Sequence, residues 1–269
     1  MFEPMFMRLA FLTAIAAGAA LGLMGVYLVI RRVIFLGLVL ANAAAVGVAL
    51  AELFDWSPEI SSIMASVVAA LGLGAFQTLR RTSAESIMGW AYAAASSATV
   101  LILAGTAGAD MDTLHLLYGS LLAVSTTHAV GLFLLAVAVG VVHLLFGRRF
   151  LLVTFDPEGA RVAGVNTPLW SLCINLLVGI VAAAAVHEIG ALLTFSLLTL
   201  APTASLLVTR SIRSAFAMSA AIGVVLTCLG LVVSFYFDLP PGPASVALLA
   251  LSVPIAAIIG QRQEVAAPE

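Results

Sequence analysis

The chain has 269 residues, of which 63% are hydrophobic and 9% are charged, and its mean hydropathy is +1.19. A soluble domain carries about a quarter charged residues, so this composition excludes the ordinary soluble class. Several apolar runs reach the roughly 20 residues that a helix needs to cross a bilayer. The sequence therefore predicts an all-α integral membrane protein in contact with lipid, and we expect no nucleic-acid partner.

Charged clusters divide the chain into apolar segments, which predict a polytopic bundle of about eight or nine transmembrane helices. The segments lie near residues 7–30, 33–54, 57–79, 86–106, 123–146, 168–187, 189–209, 214–237 and 243–260. We expect residues 1–269 to form a single transmembrane domain with a cytoplasmic loop at 148–167. Residues 1–4 lack the basic region of a cleaved signal peptide, so the first segment is expected to remain as an anchor.

Basic and acidic residues alternate between successive loops. Arginines follow every odd-numbered segment, at Arg31, Arg32, Arg80, Arg81, Arg148, Arg149, Arg161, Arg210, Arg213 and Arg262. Acidic residues dominate the other loops, at Asp55, Glu59, Asp110, Asp112 and Asp238. Because loops rich in Lys and Arg remain in the cytoplasm, the pattern predicts an N-terminus outside the cell and a cytoplasmic C-terminus.

The stretch from Pro168 to Arg210 is broken only at His187 to Gly190, which is too short for a relaxed loop between two full spans. One segment is therefore a candidate for a half-spanning or re-entrant helix. Two interpretations stay open here. The first is a tight helix hairpin with a kink at Pro202, and the second is irregular backbone that lines a cavity, as in transporters.

Few polar residues are candidates for ion binding. His187 and Glu188 are adjacent, so a regular helix points them about 100° apart, and they form either part of a permeation path or a polar turn at the outer surface. Three further candidates, Asp110, Asp112 and His115, form either a transient metal site at the entrance or a solvated acidic loop. We interpret His128 and His143 as interfacial or core histidines.

The inner loop contains a short helix signal. Asp156 is a good N-cap, Pro157 and Glu158 suit the first turn, and Gly159 and Ala160 follow. The sequence thus predicts a short cytoplasmic helix over these residues. Such a helix is either a connector or a docking element for a cytoplasmic partner.

The chain cannot supply its own ATPase. All 11 of its basic residues are arginines, and the phosphate-binding Walker A loop requires a lysine. Secondary carriers instead place ionisable residues within their helices, and this chain has few. The sequence therefore favours a non-enzymatic membrane subunit that is powered by another chain.

Five segments in order resemble the zinc/manganese-type ABC importer permease family, and together they cover nearly the whole chain. They are Arg31–Gly47 (RRVIFLGLVLANAAAVG), Leu117–Ser125 (LYGSLLAVS), Asp156–Val165, Val186–Thr203 and Asp238–Pro243. The resemblance implies the permease subunit of an ATP-driven importer, in the inner membrane of a bacterium, for a divalent transition metal, with zinc favoured and manganese or iron as other choices.

The resemblance also implies partners. These are cytoplasmic ATPase subunits that dock on the coupling segment 156–160, an extracytoplasmic metal-binding protein, and a second permease subunit in a homodimer. It implies no covalently bound cofactor, and ATP acts only through the partner subunit. The alternatives are an ABC permease for a chelated metal or other substrate, and a secondary carrier or membrane scaffold.

The chain departs from the family at its usual ion ligands. The family's second helix carries an Asp and a His four residues apart, whereas this chain has Leu38 and Asn42 at those positions. Ser120 stands where the family often has an acidic residue. We expect these three positions to line the transport pathway. If the cargo is a free divalent ion, His187 and Glu188 are the nearest candidates to replace the missing ligands. If the cargo is a complex, Leu38 would instead serve as a steric or dewetting gate.

Overall fold

The computed structural model describes residues 5–76, 83–104 and 124–265, and within them the chain forms nine helices and no strand. The helices are α1 (Met5–Ile30), α2 (Ile34–Phe54), α3 (Pro58–Phe76), α4 (Ala84–Leu103), α5 (Thr126–Phe155), α6 (Pro157–Val162), α7 (Thr167–Val208), α8 (Ile212–Phe237) and α9 (Pro241–Val265). In this part of the chain, seven helices are long and apolar enough to cross a membrane, and α3 is a shorter apolar helix. The predicted all-α membrane bundle is confirmed.

Helix α1 packs against α5, α7 and α8. Small residues allow this close approach, because a Cβ added to Gly18 would lie 2.7 Å from the backbone of Gly223. One turn further along α1, the hydroxyl of Ser219 donates a hydrogen bond to the carbonyl oxygen of Gly22 at 2.6 Å. Small residues that bring backbones together are a common way to pack helices in lipid, where apolar burial drives no association.

Helix α7 has 42 residues, which would extend about 63 Å if the helix were straight, roughly twice the hydrocarbon core. It is broken at Gly190, whose φ of 79° and ψ of 163° are non-helical. The hydroxyl of Thr194 donates to the carbonyl oxygen of Gly190 at 2.8 Å, so the broken turn retains a side-chain hydrogen bond. The expected break at His187 to Gly190 is therefore present, although no loop separates the two halves.

The contacts of the two halves of α7 indicate that the chain turns back at Gly190. In the first half, Asn175 accepts a hydrogen bond from Arg31, which lies between α1 and α2. In the second half, Leu198 packs against Gly37, only a few residues into α2. Both halves thus reach the same end of the bundle. Burial lowers the pKa of Arg31, which is held at this end by Asn175.

The predicted inner loop is shorter than expected. Helix α5 continues to Phe155, so Arg148 and Arg149 are helical and the helix extends beyond the predicted apolar segment near 123–146. Helix α6 follows directly, and Asp156 caps it by accepting a hydrogen bond from the backbone N–H of Gly159 at 2.8 Å. The predicted short helix is therefore present within the segment 148–167.

Candidate metal centre

Three helices bring four ionisable side chains together. Glu59 is the second residue of α3 and His128 the third residue of α5, while His187 and Glu188 precede the break in α7. Ser125 fixes the start of α5 as its N-cap, because its hydroxyl oxygen accepts a hydrogen bond from the backbone N–H of His128 at 3.3 Å. Two helix starts and one helix break thus converge on a single polar cluster.

The imidazole of His128 is the centre of this cluster. Its Nε2 lies 3.1 Å from Oε1 of Glu59, and its Nδ1 lies 3.0 Å from Oε1 of Glu188. The ring of His187 stands at 64° to the ring of His128, with the two centroids 5.4 Å apart. Nε2 of His187 lies 4.0 Å from the same Glu188 oxygen. One histidine therefore links carboxylates from two other helices.

Exposure falls steadily across the cluster. The side chain of Glu59 is 46% exposed, whereas those of His128, His187 and Glu188 are 33%, 26% and 7% exposed. The four side chains line a cavity of about 250 Å³, whose other walls are mostly apolar residues of α3, α5 and α7, together with the hydroxyl residues Ser62 and Thr127. The cavity thus leads from the surface to a buried carboxylate.

The cluster offers donors that suit a transition metal. One ligand atom from each of Glu59, His128 and His187 can be chosen so that all three lie within 4.8 Å of one another. Imidazole nitrogen suits zinc and iron, and carboxylate oxygen also suits manganese. These three residues could therefore hold a divalent ion, with Glu188 beside them.

Two predicted residues, His187 and Glu188, lie in this cluster. A regular helix points these two adjacent residues about 100° apart, and the break at Gly190 lies after them in the chain. Both residues nevertheless line the same cavity, in which His128 of α5 contacts Glu188 of α7. The other predicted polar residues, Asp110, Asp112, His115 and Ser120, lie outside the described residues.

Leu38 and Asn42 lie elsewhere on α2 and do not line this cavity. Asn42 is buried, and its Nδ2 donates to the carbonyl oxygen of Leu38 at 3.0 Å. The amide is therefore engaged with its own helix, one turn away. Leu38 and Asn42 remain predicted pathway residues on the resemblance alone.

Glu59 and His128 were missed as site residues. His128 was interpreted as an interfacial or core histidine, and Glu59 was noted only as an acidic residue of an outer loop. The charge pattern nevertheless places both at the same predicted side of the membrane as the break at His187 to Gly190. That shared side was the one available signal for the cluster.

Comparison with known proteins identifies relatives along nearly the whole chain. The model of the ABC 3 transport family matches residues 3–260. The manganese transport system membrane protein MntC of Halalkalibacterium halodurans is 28% identical over 250 residues, which are 91% of this chain and 84% of that protein. The chelated iron transport system membrane protein YfeD of Yersinia pestis is 25% identical over 253 residues, 94% of this chain and 85% of that protein.

A solved structure has the same fold. PsaBC from Streptococcus pneumoniae in complex with Fab matches with a TM-score of 0.87 at 21% sequence identity. The match covers 98% of this chain and 96% of that chain. The arrangement of the described helices is therefore shared with that chain.

Proposed function

We propose, from the premise that this chain belongs to the ABC 3 transport family, that it is the membrane permease subunit of an ATP-driven importer of a divalent transition metal. The structural evidence for a metal cargo is the cluster of Glu59, His128 and His187. One donor atom of each lies within 4.8 Å of the others. Relatives named for manganese and chelated-iron transport support the same cargo class.

Zinc is the ion that we propose first. Two imidazoles and one carboxylate form a ligand set typical of zinc sites that keep one position open. Manganese and iron are the competing cargoes, because the relatives are named for them and the same donors bind both.

A chelated metal is the second candidate cargo. Leu38 cannot coordinate an ion, and the amide nitrogen of Asn42 is bonded to the Leu38 carbonyl oxygen. A substrate that carries its own ligands needs none from these two positions. The name of YfeD, a chelated-iron transport protein, also favours this alternative.

We propose that the complete transporter contains other subunits besides this chain. Two copies of this chain would form the translocation path in the bacterial inner membrane, with an extracytoplasmic protein delivering metal and cytoplasmic ATPase subunits supplying energy. We propose that α6 is the coupling helix that contacts the ATPase. The arginine pattern supports placing α6 in the cytoplasm and the cavity mouth outside.

The direct test is transport by the complete complex in sealed vesicles. Zn²⁺, Mn²⁺ and Fe²⁺ are supplied in turn outside, with ATP inside, and accumulated metal and ATP hydrolysis are measured together. We expect accumulation that requires ATP and is fastest for Zn²⁺. Absence of accumulation for all three free ions would contradict the free-ion function, and accumulation of only a chelate would support the second cargo.

Val162, an exposed apolar residue of α6, is expected to contact the ATPase and to couple it to transport. Ala160 of the predicted docking segment is already buried within this chain, whereas Val162 is 91% exposed. Replacing Val162 by aspartate places a charge in the proposed contact, so we expect metal uptake to fall at least ten-fold and ATPase co-purification to weaken. The measurement is uptake in vesicles together with the ATPase-to-permease ratio after purification.

The matched control is Val162→Ile, which preserves an apolar surface at the same position and should leave both quantities unchanged. Changes at Gly159 are less informative, because a Cβ there would meet the carboxylate of Asp156 that caps the helix. Full uptake by Val162→Asp would exclude this contact from coupling.

Orientation is tested by labelling with an impermeant thiol reagent. In a background without Cys173 and Cys228, cysteines at Ser83 and Glu158 are expected to resist a reagent added outside intact cells. A cysteine at Asp112 is expected to react, because the arginine pattern predicts that this part of the chain lies outside. Labelling of Glu158→Cys from outside would reverse the orientation and remove the coupling role of α6.

A further inference from the structure

Resting on the proposed function, we propose that Glu59, His128 and His187 are the direct ligands of a divalent transition-metal ion at the mouth of the cavity. Glu188 acts as a positioning residue, which holds the imidazole of His128 but does not itself need to bind the ion. We call this arrangement the mouth site. It lies on α3, α5 and α7, away from the family-type ligand positions Leu38 and Asn42 on α2.

The two nitrogens of His128 have different surroundings. Nε2 faces Glu59, which is nearly half exposed, whereas Nδ1 faces Glu188, which is buried. A metal-bound histidine commonly binds the ion through one nitrogen and donates its other ring N–H to a carboxylate, which fixes the ring. The buried carboxylate is therefore suited to orient the ring, and Nε2 is suited to bind the ion.

The spacing of the donors requires only a local adjustment. In a tetrahedral zinc site with metal–ligand distances of about 2.0–2.2 Å, ligand atoms lie roughly 3.3–3.6 Å apart. The contact of 3.1 Å between Nε2 of His128 and Oε1 of Glu59 is close to that separation, and the third donor lies within 4.8 Å. Rotation of the His187 ring and of the exposed Glu59 side chain can close the set around an ion.

The exposed fraction of the side chains falls from Glu59 to Glu188, which indicates the side from which an ion would enter the mouth site. An ion from solution first reaches Glu59, then the two imidazoles, and finds the buried carboxylate of Glu188 behind them. Three protein ligands leave one position open for water or for a donor from a delivering protein. An ion can thus bind at the mouth site while it still keeps one of the ligands with which it arrived.

A purely structural role makes different predictions. If the cluster only stabilises the packing of α3, α5 and α7, substitutions in it lower the stability of the protein but leave its metal affinity unchanged. Metal binding must therefore be measured separately from folding. The purified chain in detergent is sufficient for this measurement, because all proposed ligands belong to one chain.

The experiment measures Zn²⁺ binding by equilibrium dialysis and Co²⁺ binding by visible absorption, which reports the ligand geometry. We expect one saturable ion per chain, with at least a ten-fold loss of affinity in His128→Ala and in His187→Ala. Glu85→Gln is the control, because this exposed carboxylate lies in the first turn of α4, outside the cluster. If His128→Ala does not yield folded protein, the Zn²⁺ affinity of Glu59→Gln, a change at an exposed position, tests the site instead.

The positioning role of Glu188 is tested by two changes. Glu188→Ala removes the acceptor for Nδ1 of His128, so Zn²⁺ affinity should fall about 10–100-fold. Glu188→Gln retains an acceptor oxygen at the same place and should recover most of that affinity with the parental Co²⁺ spectrum. Equal losses in both variants would show that the charge of Glu188, rather than its hydrogen bond, supports the site, and would overturn the positioning role.

Failure of the mouth site is distinguishable from failure of the proposed function. If the complete complex transports metal but the chain binds no ion saturably, or if His128→Ala binds Zn²⁺ like the parent, the mouth site is wrong and the function stands. If the chain binds one Zn²⁺ through these residues but the complex transports nothing, the site stands and the importer function fails.

Discussion

Replacing Gly190 by alanine is expected to abolish metal uptake and to lower the free energy of unfolding by about 1–3 kcal/mol. The φ of 79° and ψ of 163° at this residue lie in a region that essentially only glycine adopts. A Cβ would force the backbone of α7 to change where the helix turns back. Because His187 and Glu188 lie just before this turn, their positions in the cavity would change as well.

Thermal unfolding in detergent and uptake in vesicles measure the two effects. The control is Gly140→Ala, which makes the same chemical change in α5 at a position where an added Cβ meets nothing within 4 Å. Alanine favours a helix over glycine by about 1 kcal/mol, so this control should be as stable as the parent or slightly more stable. Parental stability and uptake in Gly190→Ala would contradict the role of the break.

Local features of the structure could be predicted from the sequence because their causes are local. Apolar runs predicted the membrane helices, since a helix of about 20 apolar residues satisfies its backbone in lipid. The cap of α6 was predicted for the same reason, because Asp156, Pro157 and Gly159 are neighbours in sequence and in space. The break near Gly190 was also visible, as a polar interruption too short for a loop.

The end of α5 shows a limit of this reasoning. Arg148 and Arg149 end the apolar run, so the span was predicted to end at 146, but the helix continues to Phe155. Charge ends the hydrophobic pattern without ending the helix, because arginine has a high helix propensity. Hydropathy therefore predicts where a helix leaves the membrane and not where it ends.

The cluster itself could not be predicted as a unit. Its members lie on three helices that are far apart in sequence, and no local pattern relates Glu59 to His128 or Glu188. Packing of α3 and α5 against the first half of α7 brings them together, and this packing depends on small residues such as Gly179, whose neighbour is Ser66. The charge pattern predicted only a common side of the membrane.

The final prediction concerns the positions on α2 where the family carries its metal ligands. Leu38→Asp alone is expected to abolish uptake, because an unpaired carboxylate in the apolar membrane interior costs about 2.5–3.5 kcal/mol. Adding Asn42→His supplies a partner one helical turn away, on the same face. We expect the double variant to recover partial uptake and to bind a second Zn²⁺ per chain in equilibrium dialysis.

Uptake by the double variant should remain slower than that of the parent, since a site that binds an ion too well delays its exit. The control pair is Val39→Asp with Ala43→His, which introduces the same groups one residue along, on a different face of α2 and at buried positions. That pair should bind no additional Zn²⁺. If the pair at Leu38 and Asn42 also binds none and leaves uptake abolished, α2 does not face a free ion, and the chelated metal becomes the better cargo.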